Sequence, residues 1–376
     1  KVFNGVSLGH NRLAIVDLSE AGRQPMKNEK GDVWITFNGE IYNHKQIKEN
    51  LHGKHKFASD SDTEAIIHLY EEDGFDVVNK LQGMFAFCIY DIKKNLLFLA
   101  RDRLGIKPLY YYKNADKFIF SSEIKAILEE KSIKPKLNKK ALVPYFAFRA
   151  NTGEETFFEG INKLLPGNIL VFDLNKNKIT IKKYWDVKFE PEYLSEEHYK
   201  SKIISILDDA VRGRLMSDVP YGAYLSGGVD SAAVVALMSK YSSKPIKTFS
   251  VGFGQEKYSE LSDARFSSKV FKTDHHELII KDDSIKALPD IIYQLDEPIA
   301  DPTCIPIYFL SQYAKKHCTV ILTGEGADEL FGGYPQYKFM KMHSKLFNKL
   351  PLLMKKALAS SVKAAPSQVL DTYFPF

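Results

Sequence analysis

The sequence Ser226-Gly-Gly-Val-Asp-Ser231 combines residue types that together suit a phosphate group. It follows Tyr221–Leu225, which predicts a buried strand, and it precedes an apolar run that predicts a helix. Gly227 and Gly228 allow the backbone to turn tightly and approach an anion, and the helix N-terminus adds partial positive charge. Asp230 alone would repel a phosphate, so its presence favours a divalent cation between the two. The chain has no G-x-x-x-x-G-K-S/T sequence, which excludes the P-loop of ATPases and GTPases.

A second cluster, Thr323-Gly-Glu-Gly-Ala-Asp-Glu329, follows the predicted strand Thr319–Leu322. Three carboxylates at the end of one strand are costly unless they bind a cation or a cationic group. We expect Asp328 to hold Mg²⁺ together with Asp230, because both offer hard oxygen ligands that bridge to phosphate. We expect Glu325 to contact the amine or the leaving group of a second substrate. An acidic turn that only caps a helix is the alternative.

Together, the two motifs resemble the synthetase domain of the glutamine-dependent asparagine synthetases, whose first motif is an ATP pyrophosphatase loop. The resemblance implies that ATP, with Mg²⁺, adenylates the side-chain carboxylate of aspartate and that ammonia then displaces AMP. It gives Glu325 a catalytic role at the intermediate. It assigns ATP binding to the loop and to the strand ends around it: Leu225, Ser226, Gly227, Gly228, Val229, Asp230, Ser231, Val251, Gly252, Thr323 and Gly324.

Two further segments, Asp296-Glu-Pro298 and Asp301-Pro-Thr303, also resemble substrate-side loops of some members of that family. A contact with the acceptor and a plain proline-rich turn are equally compatible with them.

The first half of the chain carries four motifs in order: Gly9 to Asp17, Phe37 to Asn43, Ser61 to Glu64, and Ala100 to Tyr110. They resemble the class II glutamine amidotransferase domain, an N-terminal-nucleophile fold of stacked sheets between helices. The resemblance implies that glutamine is bound by the following residues: Arg12, Leu13, Ala14, Ile15, Val16, Asn38, Gly39, Glu40 and Asp62.

Each polar residue of this set has a chemical reason. Arg12 offers a planar fork for the α-carboxylate of glutamine, and Glu40 and Asp62 offer negative charge for its α-ammonium. The Asn38 side-chain amide and the Gly39 backbone N–H are donors that suit the oxyanion of a tetrahedral intermediate, so these two residues are expected to be catalytic.

Taken singly, these residues also have structural explanations. Arg12 could be a surface charge, Asn38-Gly39 a plain hairpin turn, and Asp62 only a helix cap; their joint order favours the functional interpretation. For Arg101-Asp102-Arg103 we expect an internal ion-pair network rather than a direct ligand.

The nucleophile of the amidotransferase family is a cysteine at the mature N-terminus, whereas this sequence begins with Lys1. Cys88, Cys304 and Cys318 show neither a metal spacing nor a disulfide pattern, and Cys88 lies in an apolar run that predicts burial. We therefore expect an interior fragment that lacks the first strands and a helical C-terminal segment with a lysine. As written, it should hydrolyse no glutamine and form little or no product.

Composition agrees with two globular domains in a reducing cytoplasm. The chain has 376 residues, of which 44% are hydrophobic and 26% are charged. The net charge of +5 is spread along the chain, so nucleic-acid binding is not suggested. No run of eighteen apolar residues occurs, so no membrane span is expected.

The order of predicted elements divides the chain at the linker Glu190–Ser195. Short alternating segments before it predict an α+β domain of stacked antiparallel sheets over residues 1–187. Val33–Phe37 is expected to end in an Asn38-Gly39 turn, and Ser61-Asp-Thr-Glu64 has the form of a capping box before a helix. Two hairpins are predicted: Phe85–Asp91 with Leu96–Arg101, and Leu109–Lys113 with Lys117–Ser121.

Strands and helices alternate after the linker, which predicts a parallel α/β sheet over residues 195–376 with ligands at the carboxyl ends of its strands. The expected strands are Tyr221–Leu225, Ile246–Phe253, His275–Ile280 and Thr319–Leu322. The expected helices are Ser231–Tyr241, Leu261–Phe271, Ser284–Leu295 and Pro306–Lys315, after an earlier one from Ser195 to Val211.

Four functional hypotheses follow, and the leading one is a glutamine-hydrolysing asparagine synthetase or a relative that amidates another carboxylate. A β-lactam-synthetase-like paralogue would have no need for the complete glutamine set. A tRNA-modifying ATP pyrophosphatase would require a basic face or a cysteine pair, and a non-catalytic scaffold would have no need for the phosphate loop. The expected partners are the small-molecule substrates, and a homodimer is open because dimers are usual in the family.

Overall fold

The computed structural model describes residues 1–253, 260–346 and 350–364. The chain divides into two compact units, Lys1–Thr323 and Gly324–Phe376. Among the described residues, no helix combines the length and the apolar character that crossing a bilayer requires.

Antiparallel sheets form the first part of the larger unit. Its strands are β1 (Met26–Lys27), β2 (Val33–Ile41), β3 (Gly83–Asp91), β4 (Leu96–Arg101), β5 (Tyr110–Lys113), β6 (Phe118–Ser121), β7 (Ile161–Lys163), β8 (Asn168–Asp173) and β9 (Lys178–Lys183). They make a six-stranded sheet of order β1-β2-β3-β4-β8-β9 and a three-stranded sheet of order β6-β5-β7. The helices of this part are α1 (His44–Leu51), α2 (Asp62–Asp73), α3 (Val77–Lys80), α4 (Ile124–Leu128) and α5 (Leu142–Phe148). Both predicted hairpins are confirmed.

Strand β3 shows why the sheets are stacked, since it is buried on both faces. Phe85 and Phe87 join one hydrophobic core with the apolar residues of α1 and α2. Cys88 and Tyr90 join a second core with Tyr111 of the smaller sheet. A strand covered on both sides has no need for polar residues at alternate positions, which explains its unbroken apolar run. The predicted layered α+β architecture is confirmed.

Helix α2 begins as predicted, with a difference at its cap. The Ser61 hydroxyl accepts from the Thr63 N–H at 3.2 Å. The Glu64 carboxylate accepts from the N–H groups of Ala58 and Ser59, both at 2.8 Å, instead of from the backbone of Ser61. The helix start is therefore tied to the chain before it, and Asp62 is 5% exposed.

The predicted turn at Asn38-Gly39 is wrong, because β2 continues through both residues to Ile41. Gly39 has φ +155°, and a side chain there would overlap the Met84 carbonyl oxygen of β3. A side chain on Gly83 would overlap the Glu40 carbonyl oxygen in the same way. The glycine serves a close approach of two strands rather than a turn.

The ion-pair network predicted for Arg101-Asp102-Arg103 is also wrong. Asp102 is 1% exposed, and its carboxylate accepts from four backbone N–H groups, those of Phe85, Leu104, Ile106 and Lys107. The guanidinium groups of Arg101 and Arg103 donate to backbone carbonyl oxygens. The internal role is right, but the partners are main-chain groups.

The second part of the larger unit is the predicted parallel sheet. Its strands are β10 (Tyr221–Tyr224), β11 (Lys247–Phe253), β12 (Asp274–Ile280) and β13 (Val320–Leu322), in the order β12-β11-β10-β13 with all pairs parallel. The helices are α6 (Glu196–Arg214), α7 (Val229–Tyr241), α8 (Leu261–Phe271), α9 (Leu288–Leu295) and α10 (Cys304–Ala314). Helix α9 is shorter than predicted because a 3-10 segment, Asp282–Ala287, precedes it. Pro289 occupies its first turn, where the N–H that proline lacks would have no partner within the helix and where its fixed φ angle is already helical.

The smaller unit holds three helices among its described residues: α11 (Ala327–Phe331), α12 (Pro335–Leu346) and α13 (Leu352–Ala364). The predicted ending at Phe374-Pro-Phe376 lies outside the described residues.

Candidate functional site

A cavity of about 670 Å³ lies in the antiparallel part of the chain. Its lining includes every predicted glutamine-binding residue except Ala14: Arg12, Leu13, Ile15, Val16, Asn38, Gly39, Glu40 and Asp62. Segments 9–16 and 36–40 and the start of α2 therefore meet at one place, although they are far apart in the sequence.

Glu40 contributes a buried carboxylate to this cavity, and its Oε2 atom has no hydrogen-bond partner among the described residues. The pKa of Glu40 is raised from 4.5 to about 8, mainly by burial and also by the nearby charge of Asp62, while Lys107 and Arg12 act in the opposite direction. A cationic group that entered the cavity would stabilise the ionised form of this carboxylate.

Asp62 lies beside Glu40, and a backbone hydrogen bond fixes one of its carboxylate oxygens. Its Oδ2 atom accepts from the Ile41 N–H at 2.8 Å. Burial raises the pKa of Asp62 to about 6, although the hydrogen bonds from Ile41 and Thr63 and the charge of Arg12 lower it. Two neighbouring carboxyl groups with raised pKa values form a site for an ammonium group.

Arg12 is fixed by the loop that carries it. Its Nη2 donates to the carbonyl oxygens of Val16 and Asp17 at 2.8 and 2.7 Å, and its Nη1 lies 3.5 Å from the Ser19 carbonyl oxygen. A Cβ atom on Gly22 would come within 2.5 Å of Nη2, so that glycine leaves room for the guanidinium. The Nε–H and one Nη1 hydrogen have no acceptor among the described residues and stay available for a carboxylate.

The predicted oxyanion donors lie on β2 beside these groups. The Asn38 amide forms no hydrogen bond with any described residue, which leaves it free for a substrate. Gln24, which the sequence interpretation missed, fixes the same strand: its Oε1 accepts from the Phe37 N–H at 2.7 Å and its Nε2 donates to the Phe37 carbonyl at 3.2 Å. Lys107 was also missed, although it lies in a quoted motif and lines the cavity. No local sequence signal marked Gln24.

The loop between β10 and α7 has the form predicted for a phosphate site. The Ser226 and Ser231 hydroxyls lie 2.8 Å apart, and Ser226 Oγ also accepts from the Gly228 N–H at 3.1 Å. The N–H groups of Val229, Asp230 and Ser231 have no acceptor among the described residues. Donors at the start of a thirteen-residue helix suit an anion.

Two further features fit a nucleotide with its cation. A Cβ atom on Gly227 would lie 2.8 Å from the Asp263 Cβ, so only a glycine lets the loop pack this closely against the start of α8. The Asp230 carboxylate forms no hydrogen bond or ion pair with the residues described, and it is half-buried in the first turn of α7. A hard cation is the partner that such an oxygen ligand lacks.

The other predicted ATP contacts of this unit lie at the carboxyl edge of the parallel sheet. The Leu225 N–H donates to the Phe249 carbonyl at 2.9 Å, and Val251 and Gly252 follow farther along β11. A Cβ atom on Gly252 would lie 2.5 Å from Leu261 Cδ1, which leaves no room for a side chain. Thr323 is the first residue beyond β13.

In the smaller unit, Gly324 and Glu325 precede Gly326, which has φ +93° and caps α11. A side chain on Gly333 would overlap the Asp328 carboxylate, and the Gly333 N–H donates to the Asp328 carbonyl at 3.0 Å. The carboxylates of Glu325 and Asp328 form no hydrogen bond with described residues. The pairing of Asp328 with Asp230 stays a prediction.

Asp296 and Glu297 contact the antiparallel part of the chain. Asp296 accepts from the Ile124 N–H at 2.7 Å and lies 2.8 Å from Lys125 Nζ. Glu297 is 8% exposed, accepts from the Phe157 N–H at 2.8 Å and lies 3.0 Å from Lys163 Nζ. These contacts favour a linking role for the two carboxylates over contact with an acceptor.

Comparisons with known proteins match both parts. Residues 2–185 match the glutamine amidotransferase domain family, and residues 202–372 match the asparagine synthase family. The chain is 41% identical to a putative glutamine-hydrolysing asparagine synthetase 2 of Methanocaldococcus jannaschii, over 88% of this chain and 67% of that protein. It is 37% identical to glutamine-hydrolysing asparagine synthetase 1 of Bacillus subtilis, over 96% of this chain and 57% of that protein. The chain thus spans between 57% and 67% of the length of these relatives.

Proposed function

Since this chain belongs to the family of glutamine-hydrolysing asparagine synthetases, we propose that the protein amidates aspartate to asparagine with ATP and with ammonia released from glutamine. In this proposal, residues 1–187 form the amidotransferase domain and residues 195–376 belong to the synthetase domain, in a cytoplasmic enzyme. The observation that carries the proposal is the partnerless carboxylate of Glu40, beside Asp62, in a cavity that Arg12 also lines.

Glutamine binding follows from the charges of that cavity. Glu40 and Asp62 bind the α-ammonium, which lowers their raised pKa values by supplying the missing positive charge. The free donors of Arg12 bind the α-carboxylate. The Asn38 amide and the Gly39 N–H then face the side-chain carbonyl and stabilise its oxyanion.

Cys88 lines the same cavity but does not supply the nucleophile. Its side chain is fully buried, and burial raises the pKa of its thiol well above the ordinary value, so the reactive thiolate is disfavoured. The resemblance to the family assigns the nucleophile to an N-terminal cysteine instead.

ATP binding follows from the loop of Ser226 to Ser231. The free N–H groups of Val229, Asp230 and Ser231 hold the pyrophosphate part of the nucleotide, and the paired hydroxyls of Ser226 and Ser231 keep the loop in shape. Bound Mg²⁺ would neutralise charge on the leaving pyrophosphate. Asp230, together with Asp328, is proposed to hold that ion, and Glu325 to contact the adenylated intermediate.

Pyrophosphate release by the full-length protein tests the acceptor. We expect aspartate to stimulate release, with glutamine or ammonia needed to form the amide. Stimulation by a different amino-acid carboxylate, with none by aspartate, would replace the asparagine assignment by another amidotransferase activity. Stimulation without any nitrogen donor, and with ring closure of the substrate, would favour the β-lactam-synthetase-like alternative.

A further inference from the structure

Four potential metal ligands converge at the edge of the antiparallel part, outside the glutamine cavity. Glu29 comes from the turn between β1 and β2, His55 from the connection between α1 and α2, and His68 and Glu71 from α2 itself. One ligand atom of each lies within 4.8 Å of the ligand atoms of the others. Three segments that are distant in sequence therefore present two imidazoles and two carboxylates to one point.

The distances between these groups come close to those of a metal shell, with all four ligand atoms within 4.8 Å of one another. His68 Nδ1 lies 3.1 Å from Glu71 Oε2 and 3.6 Å from Glu29 Oε2. His55 Nδ1 lies 3.6 Å from Glu71 Oε2 and 3.8 Å from Glu29 Oε1. Ligands about 2.0–2.2 Å from a tetrahedral Zn²⁺ are separated from one another by about 3.3–3.6 Å. Small side-chain adjustments would bring all four atoms onto one ion.

The second nitrogen of each imidazole faces a different carboxylate. His55 Nε2 lies within hydrogen-bond distance of Glu72 Oε1, at 3.1 Å. His68 Nε2 lies 3.6 Å from Glu64 Oε1, beyond hydrogen-bond distance, and has no other partner among the described residues. In metal sites, a ligating histidine donates its other N–H to a carboxylate, which orients the ring and fixes its tautomer. Both rings therefore present Nδ1 to the centre of the cluster, and their stacking at 4.5 Å holds that orientation.

The charge of the cluster also calls for a cation. Glu29, Glu64, Glu71 and Glu72 bring four carboxylates together around the two rings. Among the described residues, Lys54 is the only lysine or arginine that forms an ion pair with any of them, at 2.9 Å from Glu72. The side chains of Glu64 and Glu71 are 7% and 15% exposed, whereas those of Glu29 and Glu72 are about one-third exposed. The two buried carboxylates are therefore the ones that are costly unless a cation compensates them.

We propose that Glu29, His55, His68 and Glu71 bind a divalent transition-metal ion of the Zn²⁺ class. Four protein ligands fill a tetrahedral shell and leave no open position, so the site is structural. Two nitrogen ligands favour Zn²⁺ or Co²⁺ over Mg²⁺ and Ca²⁺, which prefer oxygen. The ion would fasten the turn before β2 and the connection before α2 to the helix whose first residue, Asp62, lines the glutamine cavity.

Calorimetric titration of the untagged, chelator-treated full chain with Zn²⁺ tests the site, in excess Mg²⁺ so that oxygen-only sites are filled. We expect one equivalent to bind, and Co²⁺ in its place to give the intense visible absorption of a four-coordinate ion. His68→Gln should weaken Zn²⁺ binding at least about 100-fold and abolish that absorption. His52→Gln, on an exposed side chain three residues before His55, is the matched control and should bind as the parent chain does.

A second variant guards against misfolding of His68→Gln. Glu72 is one-third exposed and lies outside the proposed ligand set, so Glu72→Gln should fold and weaken Zn²⁺ binding about 10- to 100-fold by releasing the His55 ring. The proposal is overturned if the parent chain binds less than one equivalent, or if Glu72→Gln and a folded His68→Gln bind as tightly as His52→Gln.

Discussion

The substitution Glu40→Gln should stabilise the ligand-free protein and abolish its binding of the substrate L-glutamine. The pKa of Glu40 is raised from 4.5 to about 8, mainly by burial. Between these pH values the folded chain keeps a proton that the unfolded chain has released, so Glu40 lowers stability as the pH rises through that range. A glutamine side chain at position 40 has nearly the same shape as Glu40 but no charge, so Glu40→Gln removes the cost of burying an ionised carboxylate.

The size of the effect follows from the shift. A rise in pKa from 4.5 to about 8 corresponds to about 5 kcal/mol at about 1.4 kcal/mol per unit. Asp62 shares the penalty, and water in the cavity reduces it, so we expect Glu40→Gln to gain about 2–4 kcal/mol in the free energy of unfolding at pH 9. No gain is expected near pH 4, where both chains carry a neutral group at this position.

Urea unfolding at pH 4 and pH 9, with glutamine binding followed by calorimetry, measures both effects. Glu123→Gln is the matched control, because Glu123 lines the same cavity but forms only an exposed ion pair with Lys125, worth about 0–1 kcal/mol. An unchanged or lower stability of Glu40→Gln at pH 9, or retained glutamine affinity, would refute the reasoning.

Three further variants test other parts of the account. Gly39→Ala should cost at least about 2 kcal/mol in urea unfolding, because the new methyl group overlaps the Met84 carbonyl; a neutral result would contradict the close approach of β2 and β3. Glu297→Ala removes the carboxylate from Lys163, which keeps only the Asn151 carbonyl oxygen, and leaves the Phe157 N–H without its acceptor. It should cost about 2–4 kcal/mol, measured in the same way, and stability equal to the parent chain would contradict its linking role. In the full-length protein, Asp230→Ala should abolish Mg-ATP-dependent pyrophosphate release and leave glutamine hydrolysis intact, and an equal loss of both would contradict the proposed division of labour.

Much of the fold was predictable because its patterns are local. Regular alternation after Ser195 indicated the parallel sheet, and the structure has all four predicted strands in one sheet. The Asn38-Gly39 error has a physical cause: the same dipeptide suits a turn or a close approach of strands, and only the partner strand at Met84 decides between them. The partners of Asp102 were equally hidden, because they are main-chain N–H groups with no side-chain signature.

The site was partly predictable for the same reason. The order of the four motifs predicted which residues bind glutamine, and the structure places all of them except Ala14 around one cavity. Gln24 was not predicted, because its role depends on accepting a hydrogen bond from the Phe37 N–H, thirteen residues later in the sequence. The cluster that contains His55 and His68 was not predicted, because its members come from three segments whose spacing in the sequence matches no metal-binding motif.

Calorimetric titration of the chain with L-glutamine, compared with its analogue that lacks the α-amino group, tests the central claim most directly. If Glu40 and Asp62 bind the α-ammonium, the analogue should bind at least about 100-fold more weakly, since it leaves a buried carboxylate pair without a cation. Equal affinities for the two compounds would contradict the account.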